Sequence, residues 1–271
     1  VRVTPSITSE EVRDAYDGVE ARLYELMMGE LLHLGGLASS LELAEHASIK
    51  QGANGIDLCC GNGASMRMLE QLLGVAKVTG VELSAKQVER TTARTLQAGL
   101  AASIGVVHGD ACNTGLSAGA ADFVWSEDAW CYVPDKASLV TEAVRLARPG
   151  GTIAFTDWTL GDTPLTDAER ESFFALLRFP GLWHADDYRR ALLDAGCEIV
   201  ELTDTRRFAR SFELFAEMFE LQFGWDALQI VGLNRDLLGP LTGQLETIRD
   251  LGRAGKVTQT RVVAKTQSSA R

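Results

Sequence analysis

Two periods alternate along this chain. Short, almost continuously apolar runs read as strands buried on both faces, and stretches with an apolar residue every three or four positions read as amphipathic helices. Strand-like runs cover Asn54 to Cys60, a segment ending at Val81-Glu82, Ile104 to His108, Ala121 to Asp128 and Thr152 to Asp157. Asn62 to Leu73 has helical spacing and is closed by Gly74, and Arg148-Pro149-Gly150-Gly151 is a turn feeding the fifth strand. Residues 9–28 and 38–47 are helix-like. An insertion from Leu160 to Gly196 interrupts the pattern, which resumes with strands at Cys197 to Leu202 and Thr258 to Ala264. Between those two lie helical stretches at Ser211 to Phe223 and Asn234 to Arg253. Strand following helix throughout predicts an α/β fold, a doubly wound and mostly parallel seven-stranded sheet. The expected organisation is an N-terminal helical cap (1–52), a central core (53–159), a segment of lid helices that also completes the sheet (160–265), and a frayed tail (266–271).

The chemistry-bearing stretch is Asp57-Leu58-Cys59-Cys60-Gly61-Asn62-Gly63, followed about twenty residues later by Glu82. Its glycines fall at a strand-to-helix turn, where a missing Cβ lets backbone approach a ligand. A dinucleotide fingerprint needs a third glycine to seat a pyrophosphate on the helix N-terminus, and here Gly61-Asn62-Gly63 continues Ala64-Ser65-Met66. Asp57 would repel a pyrophosphate and welcome a sulfonium or ammonium centre. The expected cofactor is therefore S-adenosylmethionine, with S-adenosylhomocysteine as product, rather than NAD. Glu82 can accept both ribose hydroxyls of either cofactor, and Asp110, after the third strand, can accept from an adenine amino group.

With these residues in view, Asn54 to Trp158 resembles the class I S-adenosylmethionine-dependent methyltransferases, with Cys59 standing at the first glycine position. Outside that core, Tyr16-Asp17, Leu23-Tyr24-Glu25, Gly29 and Leu32-His33-Leu34-Gly35-Gly36 are similar to the N-terminal segment of the sarcosine/dimethylglycine and phosphoethanolamine N-methyltransferases, which closes over the cofactor. Ser126-Glu127-Asp128-Ala129, Val133-Pro134-Asp135-Lys136, Thr156-Asp157-Trp158 and Gly252-Arg253-Ala254-Gly255-Lys256 are similar to that group too. The resemblance implies a Rossmann-like fold and a cofactor site of Asp57, Gly61, Gly63, Glu82, Leu83, Asp110, Ala111 and Glu127, joined by Tyr24 and Leu32. It implies catalytic roles for Asp128, Tyr16 and His33, and substrate contacts from Asp128, Tyr132, Trp158, Trp183 and Phe212. Tyr132 stands where that group often carries a histidine, so an Asp-His base does not carry over. For Asp128 the bland alternative is a helix N-cap ahead of Ala129-Trp130-Cys131, and for Glu127 a solvated strand edge.

Composition then narrows the partners. A formal net charge of −11 and a pI of about 4.9 disfavour nucleic acid and anionic membranes, both of which need a basic footprint. A small-molecule methyl acceptor is the expected partner, a homo-oligomer stays open, and no apolar run spans a bilayer or resembles a signal peptide, so a cytoplasmic location is the default expectation. The five cysteines lack a zinc-type spacing and read as buried or half-buried free thiols, and no metal is expected. Phe208, Phe212, Phe215, Phe219 and Phe223 share one helical face, which packs the added helices on the sheet or walls a substrate pocket. An aromatic wall beside carboxylates suits a methylated amine. Transfer to an amine nitrogen is the leading expectation, with oxygen, sulfur or carbon transfer to an aromatic or terpenoid acceptor as the variation. An NAD(P)-dependent oxidoreductase and a non-catalytic adenosylmethionine-binding protein are the competitors from other classes. A phosphorylated substrate would call on Arg178, Arg189, Arg190, Arg253 and Lys256.

Overall fold

The computed structural model describes residues 7–268, without the side chains at positions 9, 15–17, 20 and 237–239. The chain enters through three helices, Ser9–Asp17 (α1), Val19–Met28 (α2) and Gly36–His46 (α3), the first two broken at Gly18. Asn54–Leu58 (β1), Lys77–Glu82 (β2) and Ile104–His108 (β3) then pair in parallel, connected by Ala64–Leu73 (α4) and Ala85–Gln97 (α5). Ser84 starts α5 by accepting the Gln87 N–H at 3.1 Å. Ala121–Glu127 (β4) lies on the other side of β1, and Lys136–Leu146 (α6) leads to Ala147–Leu160 (β5).

The second half adds Asp167–Leu177 (α7), Ala185–Asp194 (α8), Cys197–Asp204 (β6), Phe208–Met218 (α9), Gly224–Ile230 (α10), Arg235–Arg253 (α11) and Val257–Thr266 (β7). The sheet order is β3-β2-β1-β4-β5-β7-β6, with β7 antiparallel to both neighbours. The seven-stranded, mostly parallel, Rossmann-like expectation is met. The chain winds outward from β1 to β3 and returns to β4, so a crevice opens at the carboxyl ends of β1 and β4, where such sheets bind ligands.

Three differences from the sequence reading have physical causes. The insertion from Leu160 to Gly196 divides: α7 joins the lid, where Phe173, Phe174 and Leu177 pack with Trp158 and the α9 phenylalanines. Helix α8 instead lies against the sheet, because Tyr188 and Leu192, one turn apart, both face the Phe155 and Trp130 core. The stretch expected as one helix to Phe223 changes to a π turn over Phe219–Phe223 and continues as α10, an element the periodicity did not predict. Thr266, placed in the tail from sequence, still pairs with Cys197 and accepts the Gly151 N–H. No described helix is long and apolar enough to cross a membrane.

Asp157 on β5 anchors the loop after β4. Its Oδ1 accepts the Cys131 N–H at 2.9 Å and its Oδ2 the Tyr188 hydroxyl at 2.5 Å. Nearby, the buried Lys136 ammonium donates to the carbonyls of Val133 (2.9 Å) and Gly181 (2.6 Å), which ties that loop to the segment before α8. Burial raises the Asp157 carboxyl to about 7, against the opposing pulls of Tyr188, Lys136 and the Cys131 N–H. A folded value above the ordinary 3.8 means that this group favours folding most below about pH 4, and that the contribution is lost as pH rises through 7. Asp157→Asn removes the titration, keeps an oxygen that accepts the Cys131 N–H and places an amide that donates to the Tyr188 oxygen. Chemical unfolding of both proteins should therefore show the wild type gaining on the variant between pH 8 and pH 4, by at most ~4 kcal/mol. A difference that stays flat with pH would refute the assignment.

Candidate active site

A cavity of about 520 Å³ opens in the crevice. It is shaped by the turn after β1, where Cys59 and Cys60 both donate N–H to the Val81 carbonyl at 2.9 and 3.1 Å. Cys59 holds a φ of +63°, a conformation rare outside glycine and often found where backbone strain serves a site. The two glycines of the motif do different work. A Cβ on Gly61 would meet nothing within 4 Å, so this position faces open space in the cavity, whereas one on Gly63 would lie 2.5 Å from Thr91 Cγ2. Gly63 does not line the cavity; it lets α4 pack on α5.

Glu82 closes the opposite lip. Its Oε2 accepts the Gly61 N–H at 2.9 Å and its Oε1 the Ser84 N–H at 2.8 Å. Asp57 is almost fully buried, lines the cavity, and receives no hydrogen bond on its carboxylate among the described residues; burial, then Glu127 and Glu82, push its carboxyl well up. An unpartnered carboxylate in this position fits a cationic ligand group. Leu83, Asp110, Ala111 and Glu127 line the same cavity, and Asp110 Oδ1 accepts the Cys112 N–H at 2.8 Å. From the N-terminal segment come Val12, Arg13, Leu32 and His33.

Two adjacent carboxylates end β4. The Glu127 side chain, 2% exposed, is a buried hub and no solvated edge. It accepts from Ser40 Oγ (2.9 Å), Ser65 Oγ (2.9 Å) and Trp125 Nε1 (3.1 Å), and lies 3.3 Å from His33 Nε2. His33 Nδ1 is buried and has no hydrogen-bond partner among the described residues. Asp128 adopts φ +50° and does not cap the short 3-10 turn at Trp130–Tyr132. Its Oδ2 accepts the Leu34 N–H at 2.8 Å, and Gln259 Nε2 donates to both oxygens at 2.8 and 2.7 Å.

A second cavity, about 690 Å³, lies beneath the lid. Leu32, His33, Asp128 and Tyr132 line both cavities and form the boundary between them. Apart from Arg178 and Gln244, the remaining wall is apolar and aromatic, mostly from α2, α7, α9 and α11, and includes Trp158, Phe212, Phe215 and Phe219. The phenylalanine stripe thus does both jobs, since Phe208 packs on Trp158 at 4.9 Å while its neighbours face the space. Tyr24, expected beside the cofactor, lines the second cavity and not the first. Trp183 lines neither; its ring packs 5.0 Å from Tyr188 under the sheet, and its carbonyl accepts the Leu160 N–H. The Tyr16 side chain lies outside the described residues. Of the five cations considered for a phosphorylated substrate, Arg189, Arg190, Arg253 and Lys256 are ion-paired on the surface and only Arg178 reaches the cavity. Among the described residues no cluster of His, Cys, Asp and Glu is placed to hold a metal ion.

Sequence reasoning missed Ser40, Ser65, Asn62 and Gln259. Asn62 had a signal, an amide between two turn glycines: its Nδ2 donates to the Glu30 carbonyl at 2.9 Å and its Oδ1 accepts the Ala64 N–H, which ties the N-terminal segment to the turn. Ser40 and Gln259 had none, because their partners are 87 and 131 residues away. The two glycines give a direct test. Gly63→Ala should lower stability by about 1–3 kcal/mol through overpacking against Thr91, a loss readable by denaturant titration. An unchanged midpoint would contradict the packing role.

Comparison with known proteins agrees with this geometry. The family described as a methyltransferase domain matches residues 56–155, the span from β1 to β5. The chain is 30% identical to the 27-O-demethylrifamycin SV methyltransferase of Amycolatopsis mediterranei, over 79% of this chain and 83% of that one. Its fold is similar to a putative sarcosine dimethylglycine methyltransferase from Galdieria sulphuraria (TM-score 0.83, 20% identity, 94% of this chain and 100% of the other). It is also similar to the Haemonchus contortus phosphoethanolamine N-methyltransferase 2 in complex with S-adenosyl-L-methionine (TM-score 0.83, 19% identity, 95% and 60%). A strand-end turn open at Gly61, an unpartnered Asp57 and this relationship across most of both chains lead to one conclusion: the protein belongs to the S-adenosylmethionine-dependent methyltransferases.

Proposed function

We propose that the protein methylates a hydroxyl oxygen on a bulky, largely apolar acceptor. The observation that carries this reading is the second cavity. At about 690 Å³, walled by aromatic and aliphatic side chains, it is of the size that encloses a drug-sized molecule and far exceeds the needs of a small zwitterion such as sarcosine. Oxygen as the acceptor atom is also what the name of the rifamycin relative carries. The amine reading keeps one supporting feature, the Tyr132 and Trp158 rings sharing the cavity with Asp128, which suits a cation. Against it, the Asp128 oxygens already receive three hydrogen bonds, from Leu34 and Gln259.

Bound S-adenosylmethionine supplies the electrophilic sulfonium methyl. Glu82 would hold the ribose hydroxyls, Asp110 the adenine edge, and Asp57 a cationic part of the cofactor, with the Gly61 backbone alongside. Asp128 is a positioning residue that fixes the Leu34 backbone over the boundary. Glu127 orients the His33 ring through Nε2, and His33 takes the acceptor's proton at Nδ1, its unpaired nitrogen. The largely apolar wall would limit water around the reacting groups, which favours in-line displacement over hydrolysis.

Release of S-adenosylhomocysteine tests the acceptor. Phenols, prenylated hydroquinones and macrocyclic alcohols should turn over, while sarcosine, dimethylglycine and phosphoethanolamine should not; turnover confined to those amines would sink the oxygen reading. Glu82→Gln should weaken binding of S-adenosylmethionine about tenfold or more in calorimetry, as expected for loss of a charged acceptor. His33→Asn should lower kcat roughly 100-fold with the melting temperature held, and activity within threefold of wild type would remove His33 from proton transfer.

A further inference from the structure

The polar groups of the second cavity fall into two sets. His33, Asp128 and Tyr132 belong to the boundary shared with the first cavity, whereas Tyr24, Arg178 and Gln244 line the second cavity alone. Arg178 caps the end of α7 and Gln244 lies on α11, so the two approach the space from different elements. Neither side chain has a hydrogen bond or ion pair among the described residues; Arg178 is exposed and Gln244 half-buried. The charge nearest in effect is the exposed Glu11 of α1.

The backbone at Arg178 sharpens the point. Its φ of +58° and ψ of +33° are those of a left-handed helix cap, the position where glycine is the usual choice. An arginine there carries strain of about 1 kcal/mol or more relative to glycine. Its guanidinium gains no ion pair in return. The only thing it lines is a cavity that is otherwise aromatic and aliphatic, apart from Gln244 and the boundary set.

We propose that Arg178, assisted by Gln244, is the specificity-determining anchor for an anionic group, a carboxylate or other oxyanion, carried by the acceptor away from its methylated hydroxyl. This rests on the reading of the second cavity as the acceptor site. The acceptor class then narrows from bulky and apolar to bulky, apolar and acidic. Arg178 is exposed where it lines the cavity, and its fork of N–H donors, with no competing ion pair, is suited to an oxyanion.

Two dyes that share one ring system test it on the full chain with S-adenosylhomocysteine present. One is 8-anilinonaphthalene-1-sulfonate; the other, N-phenyl-1-naphthylamine, lacks the sulfonate. Fluorescence titration should show the wild type preferring the sulfonate by about tenfold or more, as a charge-assisted contact requires. Arg178→Gly and Arg178→Asn, both compatible with the left-handed backbone, should erase the preference, bind the neutral dye unchanged and keep or raise the melting temperature. Equal affinity in the wild type, or a preference that survives both variants, would overturn the anchor while leaving the cavity reading intact. A lowered melting temperature with both dyes weakened alike would mean that Arg178 only caps α7, and would overturn it as well. The cavity itself is controlled by Leu241→Trp, which fills it: binding of the neutral dye should be lost, and if that dye binds regardless, or never binds the wild type, the acceptor-site reading fails and the anchor with it.

Discussion

The architecture depends on burying two adjacent carboxylates, Glu127 and Asp128, at the end of β4. A buried carboxylate is tolerable only when its oxygens are hydrogen-bonded, and here the donors come from afar: Ser40 and Leu34 from the N-terminal segment, Ser65 from α4, Gln259 from β7. Satisfying these charges therefore draws the N-terminal segment across the sheet. Once Leu32 and His33 are held there, one stretch of chain roofs the first cavity and walls the second. The boundary between the two cavities is thus a by-product of electrostatic necessity at one strand end.

A chain of alternating basic and acidic side chains supports that arrangement from the side. His46, Glu201, Arg261, Glu42 and Arg207 pair in sequence and link α3, β6, β7 and the start of α9. Arg261 is buried between two glutamates, so its charge is compensated in place. Arg207 also donates to Ser39 Oγ at 2.8 Å, next to the serine that holds Glu127. The wall that begins with Phe208 and the segment that carries His33 are consequently fixed to the same strands. At the outer face of α2 and the loop after it, ion pairs of Glu25 with Arg94 and Glu30 with Arg67 hold the segment to α5 and α4. Glu25, Arg94 and Glu30 are partly exposed, so these pairs hold less strongly than the buried carboxylates of β4.

The legible parts of the site were those fixed by the strand period. Asp57, Gly61, Glu82, Leu83, Asp110, Ala111 and Glu127 all line the first cavity, because a residue at the carboxyl end of a parallel strand has little choice of direction. Gly63 was placed in the right turn but serves packing, a distinction that only the neighbouring Thr91 decides. Tyr24 and Trp183 went astray for a different reason. Both lie outside the regular strand-helix alternation, where orientation follows from tertiary packing and no local pattern records it. The change from α9 to a π turn was similarly hidden, since a helical stripe of phenylalanines looks the same until one turn widens.

That π turn at Phe219–Phe223 has an evolutionary consequence. It holds one residue more than an α-helical turn, and so advances everything after it by roughly 100° about the helix axis. Leu221, 85% exposed, is carried outward, while Ala227 is fully buried in the lid core. Deleting a single codon here would turn α10 as a unit by roughly 100° and present a different face to the core, while leaving β1 to β5 untouched. The wall that Ile230 of α10 gives the second cavity can thus change by a step of length rather than of identity.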